Sequence, residues 1–476
     1  MRLRPLATAA VVCCALAAPG RAAAPQRSAT ETADATTRLL IDLIRVDTSN
    51  PPGHEQRIAE LLAPRLAALG FEIKIVPTPE PGKAALFARL RGDGSRRPVL
   101  LAAHADVVGV ERERWTVDPF AGVIRDGHVL GRGAIDFKGG MAVFARAVMM
   151  LAENKVPLAR DVILLVEPDE EAAQYNTSWL AERNWDDMDC EFALNEGGWI
   201  LKGADGHVEY VSISTADKSS VAVLVTARGT STHSSMPRPD NAIFTLSRAL
   251  AALSRFESPL SITDGTRRFL RTLAKTTDGS LAGSLATLAD GGDAAALARA
   301  DAEVSRDPLL HALIRNTFAP VLLNAGIRSN VIPGSAQATL NVRIVPGADV
   351  NALLASLERA IDDPAITLSF ANPTAAATAG RGAPSPETTD LFRALERQAR
   401  LAFPGAEVTP YLFQAGTDAI AWRSRGIPVY GIYPYPITAA DLTRMHGNDE
   451  RVSVASLGAG TDMIYRTLVD VAARQP

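Results

Sequence analysis

The sequence predicts an α/β protein, in which a doubly wound, mostly parallel sheet forms a larger domain and a smaller α+β domain is inserted into it. In the first part of the chain, short apolar strand patterns alternate with helical patterns, as in parallel sheets covered by helices on both faces. From about Tyr210 the strand patterns alternate apolar and polar residues, as in sheets with one solvated face. The 476 residues are also too many for one hydrophobic core.

The first part of the larger domain is predicted over residues 30–211. The segment Arg57–Gly70 has its apolar residues on one helical face and ends at a glycine, which predicts an amphipathic helix. Asp161–Glu167 is apolar and rich in β-branched residues, which favours a buried parallel strand. The predicted elements are helices 30–45, 57–70, 139–154 and 177–184, and strands 72–76, 84–90, 98–103, 161–167 and 191–194.

The smaller domain is predicted over residues 212–375. Val211–Ser214 and Ser220–Thr226 carry the alternating pattern that marks its start. Its other predicted elements are helix 241–255, a long irregular or helical span to residue 317, strand 336–344 and helix 350–361. The stretch 371–386 is rich in Ala, Thr, Gly and Pro, which predicts a linker. Helix 388–402 and strand 429–433 then resume the larger domain, so its second part covers residues 376–476.

The N-terminus predicts a signal peptide over residues 1–24. Arginines precede the apolar run Leu6–Ala18, and small residues follow it, which is the order of an export signal. The run is too short for a transmembrane helix in the mature protein, and no later segment offers a long uncharged stretch. We therefore expect a secreted or periplasmic protein without a membrane partner.

Charge and cysteine content narrow the expected partners further. Removal of Arg2, Arg4 and Arg21 with the signal lowers the formal net charge from −4 by three charges, to about −7, which argues against nucleic acid. Cys13 and Cys14 lie inside the signal, so the mature chain keeps Cys190 alone and has no internal disulfide. A small molecule remains as the expected partner.

Chemically reactive residues follow several predicted strands. Strand 161–167 leads into Pro168-Asp169-Glu170-Glu171, and strand 98–103 leads into His104-Ala-Asp106. Ligands bind at this edge of open α/β sheets, and adjacent carboxylates repel each other unless a cation or a proton-transfer task holds them. Taken alone, the glutamate pair is equally compatible with a solvated acidic loop, and a lone histidine with a capping role.

Three further residues extend this set. Asp136 lies in a glycine-rich turn before a helix, where a helix N-cap is the simpler interpretation. Glu196 follows strand 191–194, and His446 lies far downstream in Met445-His446-Gly. Together the candidates comprise two histidines and several carboxylates, the donors that suit zinc, cobalt or manganese.

The order of these motifs resembles the M20 family of metallopeptidases and amidohydrolases. Within that family, the signal peptide and the long insertion between Ser254 and Thr317 most resemble the carboxypeptidase S and N-fatty-acyl-amino-acid hydrolase branch. The resemblance covers nearly the whole mature chain. It implies a catalytic larger domain and a smaller lid domain, with two divalent metal ions, zinc being the first expectation and cobalt or manganese the alternatives. The implied ligands are His104 and Glu196 for one ion, Glu171 and His446 for the other, and Asp136 as the bridge.

The resemblance also implies roles for the residues around the metals. Glu170 is the implied general base, and Asp106 is implied to orient His104. The peptide bond after Asp136 is often cis in the family. Relatives usually carry Asp-Glu-Gly-Gly where this chain has Asn195-Glu196, which leaves Glu196 as the only carboxylate there.

The lid carries further family motifs. His233, in Gly229-Thr-Ser-Thr-His233, is implied to stabilise the oxyanion of a tetrahedral intermediate, although a turn histidine is the simpler alternative. Asn330 and Arg343 are implied to hold a substrate carboxylate, for which a planar guanidinium is well suited. Without the resemblance, Arg343 would be an ordinary surface arginine of a strand. Gly416 and Thr417 match a turn that lines the same substrate pocket.

These features together predict an exported di-metal hydrolase. Its expected reaction is cleavage of an amide bond next to a free α-carboxylate, as in a carboxypeptidase, a dipeptidase or an N-acyl-amino-acid hydrolase. The alternatives are a non-catalytic, metal-dependent binding protein, and an ester or carbamate hydrolase that uses the same site. The expected partner is a small peptide or an N-acyl amino acid. A homodimer is also considered, because in many relatives the lid histidine reaches across a dimer; the alternative is that a longer lid supplies His233 within one chain.

Overall fold

The structure, a computed structural model, describes residues 29–172, 174–203 and 205–474. The predicted signal peptide lies outside the described residues. The helices are α1 (Ala29–Ile44), α2 (Gln56–Ala67), α3 (Lys138–Glu153), α4 (Thr177–Arg183), α5 (Trp185–Met188), α6 (Ala242–Leu253), α7 (Asp264–Thr276), α8 (Ser280–Asp290), α9 (Ala294–Val304), α10 (Pro308–Leu313), α11 (Val350–Ile361), α12 (Pro373–Thr378), α13 (Asp390–Ala402), α14 (Ile420–Arg423), α15 (Ala439–Leu442) and α16 (Val454–Ala472).

The strands alternate with these helices along the chain. They are β1 (Glu72–Pro77), β2 (Ala84–Leu90), β3 (Val99–His104), β4 (Val123–Arg125), β5 (His128–Leu130), β6 (Val162–Glu167), β7 (Phe192–Asn195), β8 (Ile200–Lys202), β9 (Val208–Asp217), β10 (Ser219–Arg228), β11 (Thr232–His233), β12 (Thr317–Ala325), β13 (Val331–Ile332), β14 (Ser335–Ile344), β15 (Ile366–Phe370), β16 (Glu407–Phe413), β17 (Val429–Gly431), β18 (Pro436–Thr438) and β19 (Arg451–Ser453).

The larger sheet is covered by helices on both faces, which confirms the predicted fold class. Among the described residues it has ten strands, in the order β1-β2-β6-β3-β7-β17-β9-β8-β18, with β16 also paired to β9. The central strands β6, β3, β7 and β17 run parallel. Side chains of β3 alternate between the faces, so Leu101 packs in the core with α1, α3 and α16, whereas Leu100 packs with α4 and α14.

The smaller sheet has the order β12-β14-β10-β15 and is antiparallel throughout. One face packs against α6 and α11, where Val223 and Leu340 of the sheet meet Leu246 and Leu357 of the helices. The residues that alternate with them on β14 are only half-buried or exposed, so the second face is open. The open face includes Arg343 near one end of β14.

Two predictions about the smaller domain do not match the packing. Val211–Ser214 belongs to β9 in the larger sheet, because Ser212 and Ser214 are buried and hydrogen-bonded although they give the sequence a half-solvated pattern. The span between helix 241–255 and residue 317 forms α7–α10, and most of its buried side chains join the larger core. Phe269 of α7 contacts the rings of Tyr210 and Tyr411, at centroid distances of 5.6 and 4.9 Å.

The long strand pair β10 and β14 has one end at the larger sheet and the other end far from it. Lys218 is the single residue between β9 and β10, and Ser220 of β10 lies opposite Arg343 of β14 at this near end. At the far end, the ladder continues past Arg228 and Ser335 into the short pair β11 and β13. Among the described residues, no helix is long and apolar enough to cross a membrane.

Candidate metal centre

Three adjacent parallel strands bring most of the predicted ligands to one edge of the larger sheet. His104 is the last residue of β3, and Glu196 directly follows β7. The turn with Glu170 and Glu171 begins just after Glu167, the last residue of β6. Because β3 pairs in parallel with both β6 and β7, the three carboxyl ends meet at the same place.

One cluster forms around His104. His104, Glu170 and Glu196 offer ligand atoms that all lie within 4.8 Å of one another. The Nε2 atom of His104 lies 3.6 Å from Oε2 of Glu196 and 3.2 Å from Oδ1 of Asp136. This nitrogen therefore faces oxygens from two different loops, as a metal ligand would.

A second cluster forms around His446. Asp136, Glu171 and His446 again offer ligand atoms within 4.8 Å of one another. The Nε2 atom of His446 lies 3.0 Å from Oδ2 of Asp136 and 3.1 Å from Oε1 of Glu171. Asp136 thus turns one oxygen toward each histidine, which is the arrangement expected of a bridging carboxylate. The peptide bond between Asp136 and Phe137 is cis.

Asp106 holds the two loops of this edge together. Its backbone oxygen lies 3.0 Å from Nδ1 of His104, and its carboxylate Oδ1 lies 3.4 Å from the same nitrogen. The carboxylate also accepts hydrogen bonds from the backbone nitrogens of Glu170 and Glu171, at 3.1 and 3.0 Å. Asp106 therefore fixes both the imidazole of His104 and the turn that carries the glutamate pair.

Protons and hydrogen bonds balance the concentrated charge when no cation is bound. Burial disfavours the charged form of His104, but its hydrogen bonds to Asp106, Asp136 and Glu196 raise its pKa well above the ordinary value. Hydrogen bonds to Asp136 and Glu171 raise the pKa of His446 to about 10. Both histidines are therefore protonated at neutral pH in the metal-free protein.

The pKa values of the carboxyl groups in the two clusters shift in opposite directions. Burial, followed by the charge of Asp136, raises the pKa of Glu196 to about 8. Burial also raises the pKa of Glu170 well above its ordinary value, and the charge of Glu196 adds to that shift. Burial opposes ionisation of Asp136 too, but its hydrogen bonds to both histidines outweigh burial and lower its pKa. Asp136 is thus the acid most firmly held as a carboxylate.

Two contributors to the site were missed by the sequence analysis. The hydroxyl of Tyr433 donates to Glu196 at 2.9 Å and to Asp136 at 3.2 Å, so it contacts both clusters. The carboxylate of Glu450 accepts from the backbone nitrogens of Ile135 and Asp136, at 2.7 and 3.0 Å, and so supports the turn that positions Asp136. Glu450 lies four residues after His446, a spacing that offered a signal. Tyr433 ends the predicted strand 429–433 and offered none.

Comparison with known proteins identifies the family. Residues 100–470 match the group described as Peptidase family M20/M25/M40. The chain belongs to this family. The human N-fatty-acyl-amino acid synthase/hydrolase PM20D1 is 29% identical over 394 residues, which cover 80% of this chain and 76% of that protein. A probable carboxypeptidase S-like 2 of Dictyostelium discoideum is 28% identical and covers 79% of this chain and 72% of its own length. The carboxypeptidase S and N-fatty-acyl-amino-acid hydrolase branch that the sequence suggested is confirmed.

Solved structures agree on the fold. The M20 metallo-carboxypeptidase Sso-CP2 from Sulfolobus solfataricus has a TM-score of 0.66 at 17% identity and covers 92% of this chain and 99% of its own. A Bacillus subtilis protein, YXEP, described as a dinuclear metal binding peptidase of the M20 family, has a TM-score of 0.55 at 12% identity, over 92% of this chain and 98% of its own. The protein is therefore an M20-type hydrolase, and the family depends on metal.

The donors of this M20 protein fit a pair of divalent ions. Imidazole nitrogens and carboxylate oxygens suit zinc, cobalt and manganese, and each cluster combines one histidine with acids. The carboxylate of Asp136 offers one oxygen to each cluster, at 3.2 and 3.0 Å from the two histidines. His104, Asp136, Glu171, Glu196 and His446 are therefore the residues that would hold the metals.

Arg343, at the near end of the smaller sheet, lies within electrostatic range of Glu170. Burial lowers the pKa of Arg343, and the negative charge of Glu170 is close enough to oppose that shift. A side chain at Gly416 would begin 3.9 Å from the Arg343 guanidinium, so Gly416 lies beside it. Thr417 donates to Asp217 at 2.5 Å, which ties this turn to the end of β9.

The other two predicted lid residues lie elsewhere. His233 is exposed, and its Nδ1 atom lies 2.8 Å from the hydroxyl of Ser235. The backbone oxygen of Asn330, which is also exposed, accepts a hydrogen bond from the backbone nitrogen of Ser234, at 3.0 Å. Both lie beyond the Ser335 end of β14, and the eight steps along the strand from Ser335 to Arg343 span about 26 Å. Within one chain, the structure does not bring Asn330 and His233 to Arg343.

Proposed function

We propose that this M20 protein hydrolyses an amide bond next to a free α-carboxylate, with N-acyl amino acids and dipeptides as the substrate classes. The observation that carries the proposal is that Arg343, half-buried on the open face of the smaller sheet, lies within electrostatic range of Glu170. A guanidinium at the edge of the metal centre can hold a carboxylate while the adjacent amide reaches the metals. The name of human PM20D1, which aligns with 80% of this chain, supports the N-acyl amino acid class.

The reaction assigns one task to each group. A bound pair of divalent ions would acidify a water molecule and polarise the amide carbonyl. Glu170 takes the proton of the water and passes it to the leaving nitrogen. Arg343 binds the substrate carboxylate and thereby sets which amide is presented.

We further propose that two chains complete each site. The strand β12 lies at the edge of the smaller sheet, and its residues Ala319–Ala325 are exposed. Leu322 and Leu323 are 66% and 68% exposed, which is unusual for a strand of a monomeric protein. A second copy of the same strand can pair with this edge around a twofold axis. This arrangement would offer His233 and Asn330 of one chain to the metal centre of the other chain.

The substrate rule provides the decisive test. Metal-loaded protein should hydrolyse N-acyl amino acids or dipeptides with a free α-carboxylate, and it should fail on the matching carboxamides and methyl esters. Arg343→Ala should lower the rate on the acid and narrow the difference between acid and carboxamide. Arg359→Ala is the control, because Arg359 is a cation of α11 on the helix-covered side of the smaller sheet.

Three outcomes separate this proposal from its alternatives. Equal rates on the acid and the carboxamide would contradict the proposed requirement for a free α-carboxylate on the substrate. Faster cleavage of esters or carbamates than of amides would favour an ester or carbamate hydrolase that uses the same site. Metal-dependent binding without turnover would favour a binding protein, although the presence of Glu170 argues against it, because a binder needs no base.

We also propose that the protein is exported, on the basis of the charged, apolar and small-residue order of residues 1–24. Expression with this segment should yield a shortened mature protein outside the cytoplasm, and N-terminal sequencing should place the cut near residues 22–24. Retention of the intact N-terminus in the cytoplasm would contradict the proposal.

A further inference from the structure

A short segment before the first strand lies alongside the loop that carries His104 and Asp106. Ser49 forms a parallel bridge with Val107. The backbone nitrogen of Asn50 donates to Val107 at 2.9 Å, and the hydroxyl of Thr48 donates to Ala105 at 2.7 Å. Residues 48–50 therefore extend the sheet edge next to the first metal loop.

The side chain of Asn50 joins two buried carboxylates. Its amide nitrogen donates to Oδ2 of Asp106 at 2.8 Å and to Oδ1 of Asp169 at 2.7 Å. Its amide oxygen accepts from the ammonium of Lys83 at 3.2 Å. Every hydrogen-bonding position on the amide nitrogen is thus used, and Asn50 is itself buried.

Asp169 is the residue before Glu170 and has a φ of 68°, in the left-handed region that few residues other than glycine adopt. Its second oxygen, Oδ2, accepts from the backbone nitrogens of Gln174 and Tyr175, at 3.0 and 2.6 Å. These bonds close the turn in which Glu170 and Glu171 lie. The unusual backbone at Asp169 is held in place by its side chain.

Lys83 supplies the positive charge that this arrangement needs. Its ammonium donates to Asp169 at 2.6 Å and is almost fully buried. Burial disfavours the charged form, but the hydrogen bonds to Asp169 and Glu80 outweigh burial and raise the pKa of Lys83. Glu55, Asp106 and Asp169 have carboxylate oxygens within 4.8 Å of one another, and Lys83 provides a cation beside them.

We infer that Asn50 is a positioning residue for the M20 reaction: its amide group holds the turn of Glu170 and Glu171 against the loop of His104. Asp106 contacts both His104 and the glutamate turn, and Asn50 fixes Asp106 to Asp169, which closes that turn. Without the amide, the buried carboxylates of Asp106 and Asp169 lose the donor that they share. The base Glu170 and the predicted metal ligands are then no longer held in fixed positions relative to one another. This inference rests on the proposed metal-dependent hydrolysis.

The test compares Asn50→Ala with Asn154→Ala. Asn154 at the end of α3 also donates from its side chain, to Tyr465 at 3.0 Å, but it is remote from the described metal ligands. We expect Asn50→Ala to lower kcat about tenfold to a hundredfold with little change in KM, and to weaken Co²⁺ binding or alter the visible spectrum of the Co²⁺-loaded protein. Asn154→Ala should change only the melting temperature.

The spectroscopic readout keeps this inference separate from the proposed function. If the substrate class is wrong, the Co²⁺ affinity and spectrum of Asn50→Ala still differ from those of the wild type. Wild-type Co²⁺ affinity, spectrum and kcat in Asn50→Ala would overturn the positioning role. A loss of melting temperature alone, as in Asn154→Ala, would overturn it as well. If Asn50→Ala does not fold, Asn50→Ser, which keeps one donor, should give the same changes at reduced size.

Discussion

The metal centre and the predicted lid residues differ in how completely one chain assembles them. At the edge of the larger sheet, His104, Asp136 and Glu196 are buried, and each contacts another member of the cluster at 3.2 to 3.6 Å. At the far end of the smaller sheet, His233 and Asn330 are exposed, and their described contacts are local. The structure brings the residues of the first region together within one chain, whereas the proposed role of the second region requires that another surface approach it.

The difference follows from how the two regions are built. Parallel strands deliver their carboxyl ends to one place, so neighbouring strands in the order β6-β3-β7 assemble a compact site without further adjustment. An antiparallel pair such as β10 and β14 distributes its side chains along its length instead. Arg343 at one end and His233 beyond the other therefore serve different places. The proposed chemistry is thus concentrated in the first region, and the proposed substrate contacts are spread over the second.

The largest expected effect separates the two glutamates within the metal centre. Glu170→Gln should leave the metal content nearly intact and lower turnover by at least about a hundredfold, because the general base is lost. Glu171→Gln should instead lose metal, since Glu171 lies 3.1 Å from His446 in the second cluster. Metal analysis of the purified variants, together with kcat, measures both effects.

The neighbouring positions of the pair supply the control. Both variants keep the backbone bonds to Asp106, so a shared loss of fold is not expected. Equal loss of metal in Glu170→Gln and Glu171→Gln would show that the roles are assigned wrongly, a real alternative because Glu170 lies in the cluster of His104 and Glu196.

The next prediction concerns the region that one chain leaves incomplete. His233→Ala should lower kcat about a hundredfold with a smaller effect on KM, because an oxyanion donor acts mainly in the transition state. Mixing His233→Ala with Glu170→Gln should restore part of the activity if each site uses His233 of a partner chain. Adding Leu322→Lys to both variants should abolish that recovery, because it places a charge on the exposed edge of β12.

Two results would contradict the shared site. If the mixture stays as inactive as its components while exchange of subunits is demonstrated, His233 acts within its own chain. If the protein sediments as a monomer at full activity, β12 does not mediate the assembly. In either case the smaller domain would have to move toward the metal centre by itself.

The sequence predicted the metal centre far better than the lid. His104, Glu170 and Glu196 lie at or shortly after the carboxyl ends of strongly apolar strands, and parallel strands fix where such residues meet. No comparable rule gives the distance between Asn330 and Arg343, which are close in sequence, although Asn330 precedes the Ser335 end of the ten-residue strand β14 and Arg343 lies near its other end. Asn330 and Arg343 of the same chain are therefore not placed to bind one substrate carboxylate together.

Supporting residues were also invisible in the sequence. Asn50 and Tyr433 act through contacts with residues that are distant along the chain, and their local patterns are those of a loop and a strand. The boundary of the smaller domain was placed too early because buried serines imitate solvent-facing positions. Ser212 satisfies its hydroxyl with the backbone of Trp199, so a polar residue lies in the core at little cost.

The last and smallest predicted effect is the number of protons released on metal binding, which should depend on the metal centre and not on the far end of the smaller sheet. A histidine must be neutral to bind a metal ion, but hydrogen bonds raise the pKa of His446 to about 10 in the metal-free protein and hold that of His104 well above its ordinary value. Metal binding at neutral pH should therefore release protons, and affinity should rise by up to about tenfold per pH unit for each proton displaced. Glu196, with a pKa of about 8, adds a further proton below that pH, whereas Asp136 is already ionised and adds none.

Calorimetry of Zn²⁺ binding in buffers of different ionisation enthalpy counts these protons directly. His233→Ala should release the same number as the wild type, because His233 lies outside both clusters. Binding without proton release at pH 7 would mean that the ligand histidines are neutral before the metal arrives. A change in the count on loss of His233 would place the exposed end of the smaller sheet in the metal centre of its own chain, and the contrast between the two regions would fail.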